Sequence, residues 1–384
     1  MTRTYRVGVI GFAHMHVNHL LDTFAALPNI EWVACADTEP LVPTISDKPS
    51  TRRANMQRAR DVIGIPQAYA DYREMLASET FDIMVCCPEN ARHGSVMEAV
   101  ADRGIHIMTE KPMAASLPEA LRIARAVQRN DVALMVNWPT TWSPAIRKMK
   151  ELIEADTIGD VWQVKWRNGA SMGPLAYNTG ADTVLPVEKG AEWWHHSEPG
   201  GGALLDYCCY GACLSRWYLG EPAVAANCLK ANVSSHYGDA EDNAVMTVRF
   251  PKALAILEAT WTTWHVGVPT GPIVYGSRGT MVVDSETDAD GKRQPVVRVY
   301  TSRGHGAGEP DENVYGDPLP EGRATEAEEF LHHLETGEPM HPTLRLDLNL
   351  DAMAILDAGI RAADSGRLEL VNDATWSIGP GGLS

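Results

Sequence analysis

Lys111 lies between a short apolar run, Ile105 to Met108, and Pro112. The run reads as a strand, and a proline keeps the residue before it out of the helical region. The lysine is thereby held extended just past a strand end. In an open α/β sheet that is where ligands bind, and an ammonium there can hold a hydroxyl and stabilise an alkoxide. A second reactive group lies in Gly200-Gly201-Gly202-Ala203-Leu204-Leu205-Asp206-Tyr207-Cys208-Cys209-Tyr210. Three glycines permit close backbone approach, and a helix is predicted from there to about Tyr218. Asp206 and Tyr210, four apart, share one face of it. Alone, Asp206 would be a helix cap and Tyr210 a packing residue. Together with Lys111 they are the groups that proton transfer at a hydroxyl requires.

The elements that must position these groups are legible in order. Tyr5 to Ile10 is a β-rich run ending in Gly11. Val17, Leu20, Leu21, Phe24 and Leu27 then follow at helical spacing, and Ile30 to Ala36 is a second strand ending at Asp37. This is a β-α-β opening of the dinucleotide-binding kind, with Gly11-Phe12-Ala13-His14-Met15-His16 in place of G-x-G-x-x-G. Asp37 is placed to accept ribose hydroxyls and repel a 2′-phosphate. Thr38 and Glu39 offer no arginine, so NAD is favoured over NADP. Asp82 to Cys87, Ile105 to Met108 and Val132 to Val136 read as further strands, separated by helices over 92–103 and 118–127. Three strand ends carry polar groups at one edge: Glu89-Asn90 with His93, then Glu110-Lys111, then Asn137-Trp138.

After about residue 140 the pattern changes. A helix over 145–154 precedes β-rich runs at 161–167, 223–229, 244–250, 253–264, 280–283 and 296–300, without intervening helices. These predict a mostly antiparallel sheet, with an open face suited to a subunit interface. Residues 284–322 read as loops, and helices over 324–334 and 348–363 are expected to pack back on the first half. The predicted fold is α/β: an NAD-binding Rossmann domain over 1–138, then an α+β domain over 139–384 for substrate binding and oligomerisation.

Composition narrows the partners. The chain of 384 residues is 45% hydrophobic and 22% charged, as in ordinary globular proteins. Its net charge of −17 argues against nucleic acid and anionic membrane surfaces. Seven cysteines form no CxxC pair, which indicates neither a disulfide framework nor a zinc knuckle. A strand begins almost at once, with no signal peptide or membrane-length apolar run, so a cytoplasmic location is expected. His14 and His16 have no carboxylate or cysteine at ligand spacing in the sequence. No metal is therefore expected, and contacts to a pyrophosphate or to the helix start are favoured.

The strand-turn opening, the Glu110-Lys111-Pro112 triplet and GGGALLDYCCYGACLSRWYLGEP resemble the glucose-fructose oxidoreductase / inositol dehydrogenase / rhizopine-catabolism (Gfo/Idh/MocA) family, over about residues 5–365. The resemblance implies a tightly held nicotinamide cofactor, a homodimer or homotetramer, and oxidation or reduction of a secondary alcohol on a sugar, cyclitol or sugar derivative. It assigns Lys111 as the active-site lysine, Asp206 as the aspartate after the glycine triplet, and Asp37 as the adenosine-ribose ligand. Tyr210 falls where many members have histidine and a minority tyrosine. Cys213 stands where histidine-type members often carry an acid. Two departures stand out. Ala13 and His16 replace glycines, and Glu89 replaces a proline, which bears on contacts to the nicotinamide ribose.

In this reading Tyr210 is the acid/base, its phenol lowered by Lys111, with Asp206 holding the lysine. Lys111 as the base is the competing assignment. Gly11, Phe12, Ala13, His14, Met15, Asp37, Glu89, Asn90, His93, Glu110 and Lys111 are expected at the cofactor. Trp138, Trp193, Trp194, His195 and His196 are expected at the sugar. The same residues would also serve a redox-neutral NAD-dependent glycosidase, and relatives that act as regulators suggest a non-catalytic sensor as a third reading.

Overall fold

The computed structural model describes residues 3–169, 184–263, 270–287, 290–304 and 308–371. Six strands form a parallel sheet: β1 (Tyr5–Ile10), β2 (Ile30–Ala36), β3 (Gln67–Tyr69), β4 (Ile83–Cys86), β5 (His106–Glu110) and β6 (Leu134–Asn137). Their order is β3-β2-β1-β4-β5-β6, and the direction of winding reverses between β1 and β4. The crevice at that reversal is where such sheets take a dinucleotide. β4 and β6 are buried along their whole length, as expected of strands covered on both faces. The helix Leu117–Arg129 is a covering element. It carries proline in its first turn and buries Leu117, Leu121, Ala124 and Val127 along one stripe.

The second sheet has nine strands: β7 (Val161–Gly169), β8 (Ala225–Ala231), β9 (Asn243–Arg249), β10 (Leu254–Thr260), β11 (Ile273–Gly276), β12 (Thr280–Thr287), β13 (Arg293–Tyr300), β14 (Glu312–Val314) and β15 (Glu369–Leu370). Their order is β14-β13-β12-β11-β7-β10-β9-β8-β15, antiparallel except for β7 beside β10. Along β7, Val164 and Trp166 are buried on one face, and Trp162, on the same face nearer the strand's start, is exposed. Cys228, Met246, Leu257 and Trp166 line up across four strands. Against this row lies the helix Cys209–Leu219. A Cβ at Gly211 would sit 2.5 Å from Leu257 Cδ2, so only glycine lets the helix approach this closely.

The closing helices do pack back on the first domain. Glu326–Thr336 has a Thr325/Glu328 capping box and lies on Val17–Ala25, and Leu346–Ser365 lies on Leu117–Arg129.

Three expectations need correction. Residues 284–322 are not all loops: besides the expected run at 296–300, which lies in β13, the end of β12 and all of β14 fall within them. The expected strand over 253–264 is Leu254–Thr260, and Trp264 lies outside the described residues. A helix not foreseen, Arg52–Asp61, follows β2. It buries only Arg52, Asn55 and Ala59, so it shows no apolar stripe in the sequence.

Candidate functional site

Strand β5 ends at Glu110, and the Lys111–Pro112 peptide that follows is cis. Lys111 points away from the sheet into the second domain. Its Nζ donates to Asp206 Oδ1 at 2.7 Å and to the Asp206 carbonyl at 2.9 Å. Both acceptors come from one π-helical turn, Leu204–Cys208, inserted ahead of the helix Cys209–Leu219. The glycine triplet anchors that turn to the first domain, since Asn90 Nδ2 donates to the Gly200 carbonyl at 2.8 Å. The other carboxylate oxygen, Asp206 Oδ2, accepts from Trp261 Nε1 at 3.1 Å. Lys111 is 1% exposed. Burial, the largest single influence, would lower its pKa, but Asp206 together with Tyr210 and Cys209 outweighs it and holds the lysine well above its usual value.

Tyr210 stacks on Trp166 with ring centroids 5.5 Å apart and meets the edge of Trp138 at 5.6 Å. The Lys111 ammonium lies over the ring face, 4.6 Å from its centroid. A lowered phenol was expected, and the structure reverses the direction. Burial pushes the Tyr210 phenol well above its usual value, and Lys111 pulls it down by less. The reason is geometric: the ammonium meets the ring face and shares its charge with Asp206. Lys111, Asp206 and Tyr210 line a cleft of about 540 Å³ together with Met15, His16 and Trp194.

The other end of the sheet edge holds a second buried ionic group. Asp37 Oδ1 accepts from the backbone N–H of Phe12 at 3.1 Å and of Thr38 at 2.8 Å, and from Arg52 Nη1 at 2.7 Å. All three donors fall on one oxygen, which leaves the other to a ligand. Arg52 also pairs with Glu89. Burial alone would lower the Arg52 pKa, yet Asp37 and Glu89 together raise it. Glu89 further accepts from Thr38 Oγ1 at 3.2 Å. Glu89 is thus held beneath Arg52 and Thr38. Asp37, Arg52, Arg53, Met56 and Arg60 line a cavity of about 520 Å³. The sequence reading missed Arg52. The signal that could have found it is Thr51 ahead of a run rich in helix formers.

The residues between these two ends fit a dinucleotide. Gly11 has φ +90°, and a Cβ there would lie 2.3 Å from Pro88 N, so the loop hugs the end of β4. Asn90 Oδ1 is buried without a hydrogen-bond partner at the same edge. Phe12 is in the core and accepts from Asn55 through its carbonyl. The Ala13 carbonyl accepts from Trp193 Nε1 at 3.0 Å. His93 Nδ1 bonds the Met113 carbonyl at 3.1 Å.

The aromatic residues expected at the sugar divide. Trp194 lines the cleft. Trp138 is buried beneath Tyr210, with Nε1 donating to Asn349. His195 packs between Tyr237 and Trp261, and burial pulls its pKa down to about 4. His196 Nε2 bonds the Gly190 carbonyl at 2.7 Å.

The premise that no carboxylate joins the histidine pair does not hold in the fold. The fold brings Glu110 to the histidine pair, with Oε2 2.9 Å from His16 Nδ1. One ligand-type atom from each of His14, His16 and Glu110 lies within 4.8 Å of the others. The seven cysteines are free and buried, as expected. Among the described residues no helix is long and apolar enough to cross a membrane.

Comparison with known proteins adds to this geometry. Residues 5–138 match the family model described as an oxidoreductase family with an NAD-binding Rossmann fold. Residues 146–282 match the GFO/IDH/MocA C-terminal domain. The chain is 26% identical to D-xylose 1-dehydrogenase (NADP(+)) 2 of Haloferax volcanii, over 83% of this chain and 89% of that protein. It is 23% identical to myo-inositol 2-dehydrogenase of Thermotoga maritima, over 73% of this chain and 75% of that protein. Aldose-aldose oxidoreductase from Caulobacter crescentus, solved with glycerol, shares the fold with a TM-score of 0.73, at 19% identity over 96% of this chain and all of that one.

Proposed function

Because the chain belongs to the Gfo/Idh/MocA oxidoreductase family, we propose that it moves hydride between a nicotinamide dinucleotide and a secondary hydroxyl of a sugar, cyclitol or sugar derivative. The observation that carries this reading is the buried Lys111–Asp206 pair beside Tyr210, at the sheet edge where a dinucleotide fits. The cofactor, when bound, supplies the hydride acceptor or donor. Lys111 stays charged, holds the substrate oxygen and offsets its developing negative charge. Asp206 orients Lys111. The Tyr210 hydroxyl makes no hydrogen bond among the described residues, and Tyr210 is the acid/base. With its phenol held above the usual value, it rests as a proton donor, suited to protonating an alkoxide. In the oxidation direction it must first lose that proton.

NAD is the preferred cofactor in this reading, because Asp37 keeps an oxygen for the ribose and Arg52 is shared with Glu89. NADP is a weaker alternative, supported by Arg52, Arg53 and Arg60 at the same cavity. His14, Met15 and Asn90 face the cofactor, and Trp194 faces the sugar. Domains divide near residue 138, and the protein acts in the cytoplasm as a homodimer or homotetramer.

The test is to incubate purified protein with NAD or NADP and a panel of aldoses, cyclitols and glycosides. Reduced cofactor and released sugar are followed in parallel. Reduced cofactor accumulating in proportion to one substrate is the expected result. Sugar released with no net reduced cofactor would replace this reading with the redox-neutral glycosidase.

A further inference from the structure

The structure assigns a divalent-cation site to His14, His16 and Glu110, in the wall of the cleft, and we infer that it takes zinc, manganese or iron(II). One ligand-type atom from each side chain lies within 4.8 Å of the others. Two imidazoles and one carboxylate are a donor set these metals accept, usually with positions left open. This inference does not rest on the hydride-transfer reading.

The carboxylate is built as metal ligands are. Glu110 is fully buried, and its Oε1 accepts from Asn137 Nδ2 at 2.6 Å. Asn137 is fixed in turn, since its Oδ1 accepts from Trp142 Nε1 at 2.9 Å. Such outer supports orient a ligand and are costly to lose. Glu110 Oε2 lies 2.9 Å from His16 Nδ1. A cation takes the place of the proton between those two atoms, and the His16 ring proton moves to Nε2.

His14 gives an independent sign. Its ring is 2% exposed, and its Nε2 has no hydrogen-bond partner. Buried polar atoms are nearly always paired, so an orphan nitrogen on a ring of this cluster points to an absent ligand. His14 Nδ1 accepts from the His16 backbone N–H at 3.2 Å. A cation at Nε2 moves the ring proton to Nδ1 and releases this long bond. A cation at Nδ1 takes its place.

The surroundings suit an open site. His16 and Lys111 both line the cleft, so a free coordination position would face it. The Lys111 charge is already offset by Asp206, which limits its repulsion of a second cation.

The experiment is calorimetric titration of chelator-treated, full-length protein with manganese chloride and with zinc chloride, with and without NAD. One equivalent of metal binding is expected, weakened at least about tenfold in His16→Gln and Glu110→Gln. A crystal grown with zinc is expected to show an anomalous peak about 2.0–2.2 Å from all three side chains. No saturable binding by the unmodified protein would overturn the proposal, as would a peak elsewhere or unchanged affinity in both variants. If the variants lose NAD affinity while the unmodified protein takes up no metal, the three residues serve the dinucleotide and the proposal fails. Should either variant misfold by circular dichroism, the anomalous peak in the unmodified protein decides alone.

Discussion

Lys111 and Arg52 are both buried cations at one sheet edge, yet they are held in opposite ways. Lys111 reaches out of the first domain to a carboxylate and a carbonyl of Asp206 in the second. Arg52 stays inside the first domain and divides its charge between Asp37 and Glu89. In each case burial alone would lower the cation's pKa, and the acids reverse it. The Lys111 cluster therefore exists only once two domains dock, whereas the Arg52 cluster is complete within one. The lysine keeps a face toward Tyr210 and the cleft, while the arginine is spent on two acids.

Removing the lysine should break this comparison most sharply. Lys111→Met is expected to cost about 10²–10⁴-fold in turnover. It should also cost about 3–5 kcal/mol of stability, because Asp206 is left buried and unpaired. Initial rates and urea melts check both, and a variant retaining a tenth of the turnover would reduce Lys111 to packing.

Tyr210→Phe should lower turnover by about 10²-fold with the fold intact. In the unmodified protein, alcohol oxidation should climb steadily between about pH 7 and 10, because the group that must lose a proton is raised above its usual value of about 10. The phenylalanine variant should lose that climb. A plateau in the unmodified protein below about pH 8 would assign the base to another group.

At the other end, Glu89→Gln should free Arg52 from one of its two acids. The ratio of kcat/KM for NADP to that for NAD should rise about tenfold, the effect of one charge-assisted hydrogen bond. An unchanged ratio would mean that Arg52 does not reach a 2′-phosphate.

The smallest effect concerns Glu192, a further acid near Arg52. Burial pushes its carboxyl up to about 7, against a modest pull from Arg52. Its folded value lies above the unfolded one. The stability it contributes is therefore complete below about pH 4.5 and is lost as pH rises through about 7. Glu192→Gln should remove that loss and stabilise the protein at pH 8 by about 1–3 kcal/mol, with less effect at pH 5. Thermal melts at the two pH values decide, and equal shifts at both would show that the carboxyl is not the cause.

Much of the chemical end was legible before any coordinates. Lys111 is marked by an apolar strand and a proline, and Asp206 and Tyr210 by helical spacing after three glycines. All of these signals are local in sequence. Arg52 was not legible because its helix is polar throughout and buries few residues. Trp138, Trp193, His195 and His196 were marked only by residue type, and their packing, in which Trp138 and Trp193 donate from Nε1 and His195 meets Trp261, could not be read from the sequence. Glu110 could not be joined to His14 and His16 by spacing, since it lies 94 residues from His16.

By itself, the sequence determined the alternation of strands and helices, the opening loop, the place of the lysine past its strand, and the change to antiparallel pairing after the first domain. These follow from side-chain periodicity and from glycine and proline geometry, which act over a few residues. Only the tertiary structure decided that Tyr210 is raised rather than lowered, that Glu89 serves Arg52, and that Glu110 completes a histidine pair. Each depends on how deeply a group is buried and which charge meets it, and both are set by chain segments far apart in the sequence.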